Sequence, residues 1–311
     1  MNDESLYRLA LLLTPGAGPV AVNRAIEVVG SNLSALIGLD VARIVDELPP
    51  GQETTARILS QCGKPQLDRA SAQRDRLEKA GCMALPIDDE YYPNAIKRAL
   101  GNHAPPFLFC WGEEYLLDAV PAGIVGARDS SEAGLLLAEE CAQTLINAGA
   151  VILSGGAPGI DSMAHNTAMH HPEGSTVFVL PEGLLSFKMT RPIRDAVDAG
   201  KVLLVSQFMP EARWTTQAAF ARNRTIAAWS SLICGIEPGI KGGTRSTVDA
   251  ALEFGKDTLV YCRGGNHKVE TSLLNQGARS ILNENLEYEG AYLEREWRQS
   301  LNSSRGQSEL F

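Results

Sequence analysis

The chain has 311 residues, 44% hydrophobic and 21% charged, enough for one large core with a smaller domain beside it and ordinary for a soluble globular protein. No apolar run approaches the ~20 residues that span a bilayer, and the acidic start Met1-Asn-Asp-Glu-Ser5 is unlike a secretion signal, so no membrane association is expected. The net charge of −9 argues against nonspecific adhesion to nucleic acid, and six scattered cysteines fit neither a zinc site nor a disulfide framework, which points to a reducing cytoplasm.

Residues 1–78 read as a small helical domain. Leu6, Leu9, Ala10 and Leu13 share one helical face, and Pro15-Gly-Ala-Gly-Pro19 breaks the pattern before a second helix from Val20 to Val29. Such a turn resembles the helix-hairpin-helix of SAM-like domains, whose amides can touch a DNA phosphate. A plain helix-helix turn in a packing domain is the favoured reading, because no basic residue follows at once. Further helices are expected near Ser34 and Gln52, and a charged one from Leu67 to Ala80.

From residue 79 to 284 short apolar strands alternate with helices. Cys82–Ile87, Pro106–Trp111, Gly123–Gly126, Val151–Leu153, Thr176–Leu180, Val202–Val205, Leu232–Ile236 and Thr258–Tyr261 read as strands. This alternation predicts an α/β fold, a doubly wound, mostly parallel Rossmann-like sheet, with ligands beyond the carboxyl ends of the strands. Residues 285–311 read as a polar tail, frayed over its last stretch.

Four clusters fall at the predicted strand ends. Val125-Gly-Ala-Arg128 offers Gly126 for close approach and an arginine that can fork onto a phosphate. Ser154-Gly-Gly-Ala-Pro-Gly-Ile-Asp161 is a strand-turn-helix whose Gly155, Gly156 and Gly159 would bare amides toward an anion. It is neither a dinucleotide fingerprint nor a P-loop, and Asp161 with His165, four residues on, is expected to brace the loop. Arg222-Asn-Arg224 closes a segment from Lys188 holding seven basic residues against three acids. Arg222 and Arg224 lie on different helix faces and should serve different partners. Lys241-Gly-Gly-Thr-Arg-Ser-Thr247 supplies two glycines and the hydroxyls of Thr244, Ser246 and Thr247 before a helix expected from Ser246 to Phe254, a second anion-binding start. Trp214, Phe220 or Phe187 could stack on bases, with core packing the expectation for Phe220. No catalytic residue, metal site or cofactor is expected.

Taken in order, Ile87-Asp-Asp-Glu-Tyr-Tyr-Pro93, Ala104-Pro-Pro-Phe-Leu-Phe109 with Trp111-Gly112, Val125-Gly-Ala-Arg128, Ser154 to His165, Arg222-Asn-Arg-Thr-Ile226, Gly243-Thr-Arg-Ser-Thr-Val-Asp-Ala-Ala251 and Leu274-Asn-Gln-Gly-Ala278 resemble the DNA-processing protein A family (DprA, also called Smf). The resemblance implies an extended Rossmann-like sheet and a noncatalytic protein that binds single-stranded DNA and loads RecA in natural transformation, commonly as a homodimer. Carried over position by position, Arg128, the Ser154–Gly156 turn and Arg222 to Arg224 would line the single-strand pocket, and Lys188 or Arg191 would extend it.

The chain departs from the family at Gly156 and Pro158, at Ser206-Gln207, at Val260-Tyr-Cys262, and in the expected lack of a winged helix after Gln276-Gly-Ala278. A nucleotide sensor or nucleotide-processing enzyme of the same superfamily, in mobile-element or phage-related biology, is the alternative, and an interaction scaffold a third. Against phosphoribohydrolase chemistry, Lys241 stands in place of the signature proline and Ala250 in place of the catalytic glutamate.

Overall fold

Two units divide the chain, Met1–Cys110 and Trp111–Phe311. The computed structural model describes residues 3–263, 267–283 and 285–306. In the first unit six helices come in succession: α1 (Asp3–Leu12), α2 (Pro19–Val29), α3 (Leu33–Leu36), α4 (Val41–Glu47), α5 (Glu53–Gln61) and α6 (Lys64–Lys79). Leu9, Val22, Leu33, Ile44 and Leu59 put one apolar side chain from each of the first five into the core. The turn between α1 and α2 is closed locally: the Thr14 hydroxyl donates to the Ala10 carbonyl and the Ala17 amide to Thr14. The same unit continues through β1 (Met83–Pro86), α7 (Asn94–Leu100) and an antiparallel partner, β2 (Phe107–Gly112). Asn23 on α2 donates to the carbonyls of Asn102 and Ala104. These contacts carry the unit to Cys110, whereas composition had set the boundary at residue 78.

The second unit is a parallel sheet with helices between its strands. Its elements are β3 (Ala122–Gly126), α8 (Glu132–Asn147), β4 (Ile152–Ser154), α9 (Ile160–His170), β5 (Thr176–Leu180), α10 (Arg191–Asp198), β6 (Val202–Ser206), α11 (Thr216–Trp229), β7 (Leu232–Ile236), α12 (Gly243–Glu253), β8 (Asp257–Tyr261), α13 (His267–Leu274), β9 (Arg279–Ser280) and α14 (Gly290–Gly306). The strands lie in the order β6-β5-β4-β3-β7-β8-β9, each neighbouring pair parallel. Buried on both faces, β3, β5, β6 and β7 have no exposed residue, as the near-continuous apolar runs of their sequences require. The consecutive residues Leu259 and Val260 point to opposite faces: Leu259 joins α8, α9 and α14, and Val260 joins α12 and α13. The expected doubly wound α/β fold is therefore present.

The chain steps outward from β3 through β4 and β5 to β6, then crosses back to place β7 on the other side of β3. The two strands part their connections there, leaving a crevice beyond Gly126 and Ile236 where ligands of such sheets bind.

One expectation is overturned. Much of the stretch read as a polar tail forms α14, and the part beyond residue 306 lies outside the described residues. Leu293 and Trp297, one turn apart, are buried against α8 and the sheet, and the Ser300 hydroxyl donates to the Ser231 carbonyl. Sparse apolar residues at helical spacing suffice here because Ala291, Arg295, Arg298 and Gln299 face water while Glu296 and Ser300 are buried beside them. Trp297→Ala should therefore lower unfolding free energy by about 3–5 kcal/mol in urea titrations, as removal of a buried aromatic does, whereas a solvated tail would give no change.

Candidate functional site

A cavity of about 580 Å³ fills the crevice between the ends of β3 and β7. Its cations are Arg128, Arg222 and Lys241, and its acids Asp129, Asp161 and Glu237. Trp214 and Phe220 stand on its rim, 48% and 43% exposed, so Phe220 is not the core residue expected. Phe187 is absent from the lining.

The turn after β4 reaches this cavity at Ala157, with Asp161 beyond it on α9. The Asp161 carboxylate takes the Ala157 N–H of the turn, which donates to Oδ2 at 3.4 Å, and the Gly126 N–H at the end of β3, which donates to Oδ1 at 3.2 Å. Ser154 turns inward and donates to the Ile124 carbonyl. At Gly159, with φ of +83°, a Cβ would sit 2.3 Å from the Ala127 carbonyl oxygen, so α9 starts hard against the end of β3. Ser154, Gly155, Gly156 and Gly159, all expected to hold phosphate, are missing from the lining. The internal carboxylate fills the place assigned to a ligand.

Asp161 bonds the loop amides directly, and His165 meets the neighbouring strand and the Ser154 backbone. The His165 Nδ1 lies 2.7 Å from Thr176 Oγ1. That hydroxyl donates to the Ile152 carbonyl, so it accepts from His165 and fixes the Nδ1–H tautomer. The ring stacks on Phe178, centroids 3.4 Å apart.

Three consecutive residues of α11 serve three purposes, a division foreseen for the two arginines. Arg222 is 5% exposed and lines the cavity; its Nε has no hydrogen-bond partner among the described residues. Asn223 donates from Nδ2 to the Gly243 carbonyl, 3.1 Å away. Arg224 is not a cavity residue. It forks onto Glu253 at 2.8 and 2.9 Å and lies over the Phe254 ring, clasping α11 to α12. Gln207 accepts from the Thr225 hydroxyl and holds α11 from the β6 side.

Helix α12 starts at Gly243, earlier than the expected Ser246, because Asn223 and the Thr247 hydroxyl both bond the Gly243 carbonyl. Gly242, at φ of +116°, is its N-cap, and no side chain caps the helix. Lys241, Gly242, Gly243, Thr244 and Thr247 line the cavity, with Gly126, Arg128, Asp161, Arg222 and Asn223. Ser246 does not. Lys188 and Arg191 also lie outside the lining: both are exposed, and Arg191 meets Asp195. Glu237 has a role that the sequence did not signal. Backbone φ there is +53°, which aims its carboxylate at the Ser131 amide and hydroxyl at the start of α8. Gly134 leaves room for it, since a Cβ there would lie 2.9 Å from the carboxyl carbon.

The family model described as DNA recombination-mediator protein A matches residues 83–289. Protein Smf of Escherichia coli K12 is 30% identical over 243 residues, 73% of this chain and 63% of the relative, so the chain spans under two thirds of that relative's length. The crystal structure of DNA processing protein A from Streptococcus pneumoniae superimposes with a TM-score of 0.65 at 25% identity, covering 89% of this chain and 94% of that one. DNA processing protein A from Helicobacter pylori, whose structure is described as giving a single-stranded DNA binding mode, matches with a TM-score of 0.54 at 26% identity over 65% of this chain and 91% of that one.

The buried charges of the site set a pH dependence. Burial lowers the His165 pKa to about 3, and the charge of Arg222 adds to the effect. Burial raises the Asp161 pKa, opposed by Arg222 and by the loop amides. As pH falls below the ordinary histidine value of ~6.5, the unfolded chain takes a proton that folded His165 refuses, so stability is lost progressively toward pH 3. Asp161 acts with the opposite sign, since its raised value lets the folded state bind a proton first on acidification. In urea titrations from pH 7 to 4.5, wild-type protein should lose stability more steeply than His165→Asn; equal slopes would show that another group titrates.

Proposed function

The chain belongs to the DNA recombination-mediator protein A family, and from that premise we propose that it binds single-stranded DNA, without catalysis, through the cavity between β3 and β7. The observation that carries the proposal is the buried guanidinium of Arg222, its Nε unpartnered among the described residues, facing the same cavity as the uncapped start of α12. A desolvated donor of this kind is unfavourable until an acceptor fills it, and a helix N-terminus adds amides and positive potential for an anion. Arg128 and Lys241 supply further charge at the rim. The exposed rings of Trp214 and Phe220 offer the sequence-tolerant stacking surface that single-strand binders use. In this reading one backbone phosphate sits between Arg222 and the Gly243-Thr244 amides, and a neighbouring base lies on the rim.

On family membership we also propose that the protein acts as a homodimer in the cytoplasm and passes the strand to RecA during recombination or natural transformation. The six cysteines, all buried and none in a disulfide, suit a reducing compartment. The cavity's size also favours a second reading, as a mononucleotide sensor, since its volume falls within the range of small-ligand sites. A thermal-shift comparison separates the two: stabilisation by an oligonucleotide supports the first, and stabilisation by mononucleotides alone the second.

In anisotropy titrations with a fluorescent oligo-dT, Arg222→Ala should weaken binding by about 10–100-fold, the effect of one charge-assisted hydrogen bond worth about 1.5–3 kcal/mol. The slope of log affinity against log salt should fall by about 0.7 for each phosphate no longer neutralised. Arg128→Ala should weaken binding less, in the same direction, and unchanged affinity in both variants would remove the proposed pocket.

A further inference from the structure

The glycine turn after β4 has the residue types of a phosphate cradle and the geometry of something else. A Cβ on Gly155 would lie 1.3 Å from Arg222 Nη1, 2.5 Å from its Cζ and 2.9 Å from Nη2. The guanidinium therefore rests on the bare face of Gly155. Its φ lies outside the left-handed region, so backbone conformation does not require glycine here. Space for the guanidinium does. The Asp161 carboxylate, held by the Gly126 and Ala157 amides, lines the same cavity as Arg222, and its negative charge favours the charged guanidinium.

We infer that this turn is a seat for Arg222, with Gly155 and Asp161 as positioning residues that hold the guanidinium at the cavity, and that ligand phosphate meets Arg222 and the start of α12 instead of the turn. The part of this inference that concerns ligand rests on the proposed anion site; the seat itself does not. Without the Gly155 surface the side chain, fixed at its base by the Asn223 and Thr225 hydrogen bonds further along the helix, would have to leave its present course. Without Asp161 the buried cation would lose its countercharge and turn toward water.

Two measurements test this, one of them independent of any nucleic acid. In thermal unfolding, Gly155→Ala should lower Tm by about 2–4 °C, the range for a destabilisation of about 1 kcal/mol. In an Arg222→Ala background the same change should be neutral or raise Tm, because alanine reduces unfolded-state entropy where nothing obstructs it. Equal decreases in both backgrounds would overturn the seat. The second measurement is oligo-dT anisotropy across a salt series with the full chain. Gly155→Ala should weaken binding about tenfold and lower the salt slope by about 0.7, the change for one phosphate left without its cation.

Asp161→Asn keeps the side chain's size and removes a negative charge from the site. A purely electrostatic role predicts tighter oligonucleotide binding, and the positioning role predicts weaker binding with the reduced slope. Tighter or unchanged binding in Asp161→Asn, or unchanged affinity and slope in Gly155→Ala, would overturn the positioning role. Absence of oligonucleotide binding by the wild-type protein would defeat the single-strand reading, and the thermal cycle would still decide the seat.

Discussion

Burying a guanidinium is unfavourable by several kcal/mol unless the fold supplies a countercharge and hydrogen bonds, and much of the second unit's architecture bears on how Arg222 is buried. Burial lowers its pKa, Asp161 opposes that shift, and the nearby charge of Arg128 adds to it. Asp161 in turn is a buried carboxylate, which is tolerable because the Gly126 and Ala157 amides solvate it. One desolvated pair thus couples the end of β3, the turn after β4 and the middle of α11. The compensation is incomplete at Nε, which is buried and has no hydrogen-bond partner among the described residues.

Topology explains why these pieces meet. Because the chain winds outward from β3 and returns at β7, the connections after the two strands diverge and leave a gap at their carboxyl ends. Helix α11 precedes β7 and α12 follows it, and the two are tied together by Asn223 to Gly243 at one end and Arg224 to Glu253 at the other. Pinning Gly243 sets where α12 begins and so where its free amides point. Arg224 contributes to the site at one remove, through the clasp that keeps the helix start beside Arg222.

The alternation of apolar strands with helices made the doubly wound sheet legible, since strands buried on both faces leave a period-free apolar signature between turn residues. Gly126, Arg128, Arg222 and Lys241–Thr244, singled out because glycine and cationic side chains at strand ends carry local meaning, do meet in one cavity. What could not be read was which partner each group meets. A glycine turn looks alike whether its amides face a ligand phosphate or an aspartate four residues on, and Asp161 belongs to the same motif. Glu237 sits at a left-handed position that non-glycine residues rarely adopt, and its partner Ser131 lies on a distant stretch of the chain. Helix α14 was missed for a different reason: its few apolar residues, Leu293 and Trp297 chief among them, are diluted among polar and charged residues, of which Glu296 is itself buried.

Net charge remains the sharpest objection to a nucleic-acid ligand, for a chain of −9 should repel a phosphate backbone. The objection weakens when the charges are assigned to their partners. Of the three carboxylates lining the cavity, Asp161 is spent on loop amides and Arg222, and Glu237 on the amide and hydroxyl of Ser131. Short internal bonds of this sort turn two of the three toward the protein, and the third, Asp129, stays exposed next to Arg128. The groups that keep unused donors are Arg222 Nε and the uncapped start of α12, with Arg128 and Lys241 at the rim. Field strength at a ligand depends on the nearest charges within a Debye length of about 8–10 Å, so the acidic residues spread over the rest of the surface are screened from it. An acidic protein can hold a phosphate at such a site, and in the proposed reading its overall charge would restrict binding to the cavity by disfavouring the strand everywhere else.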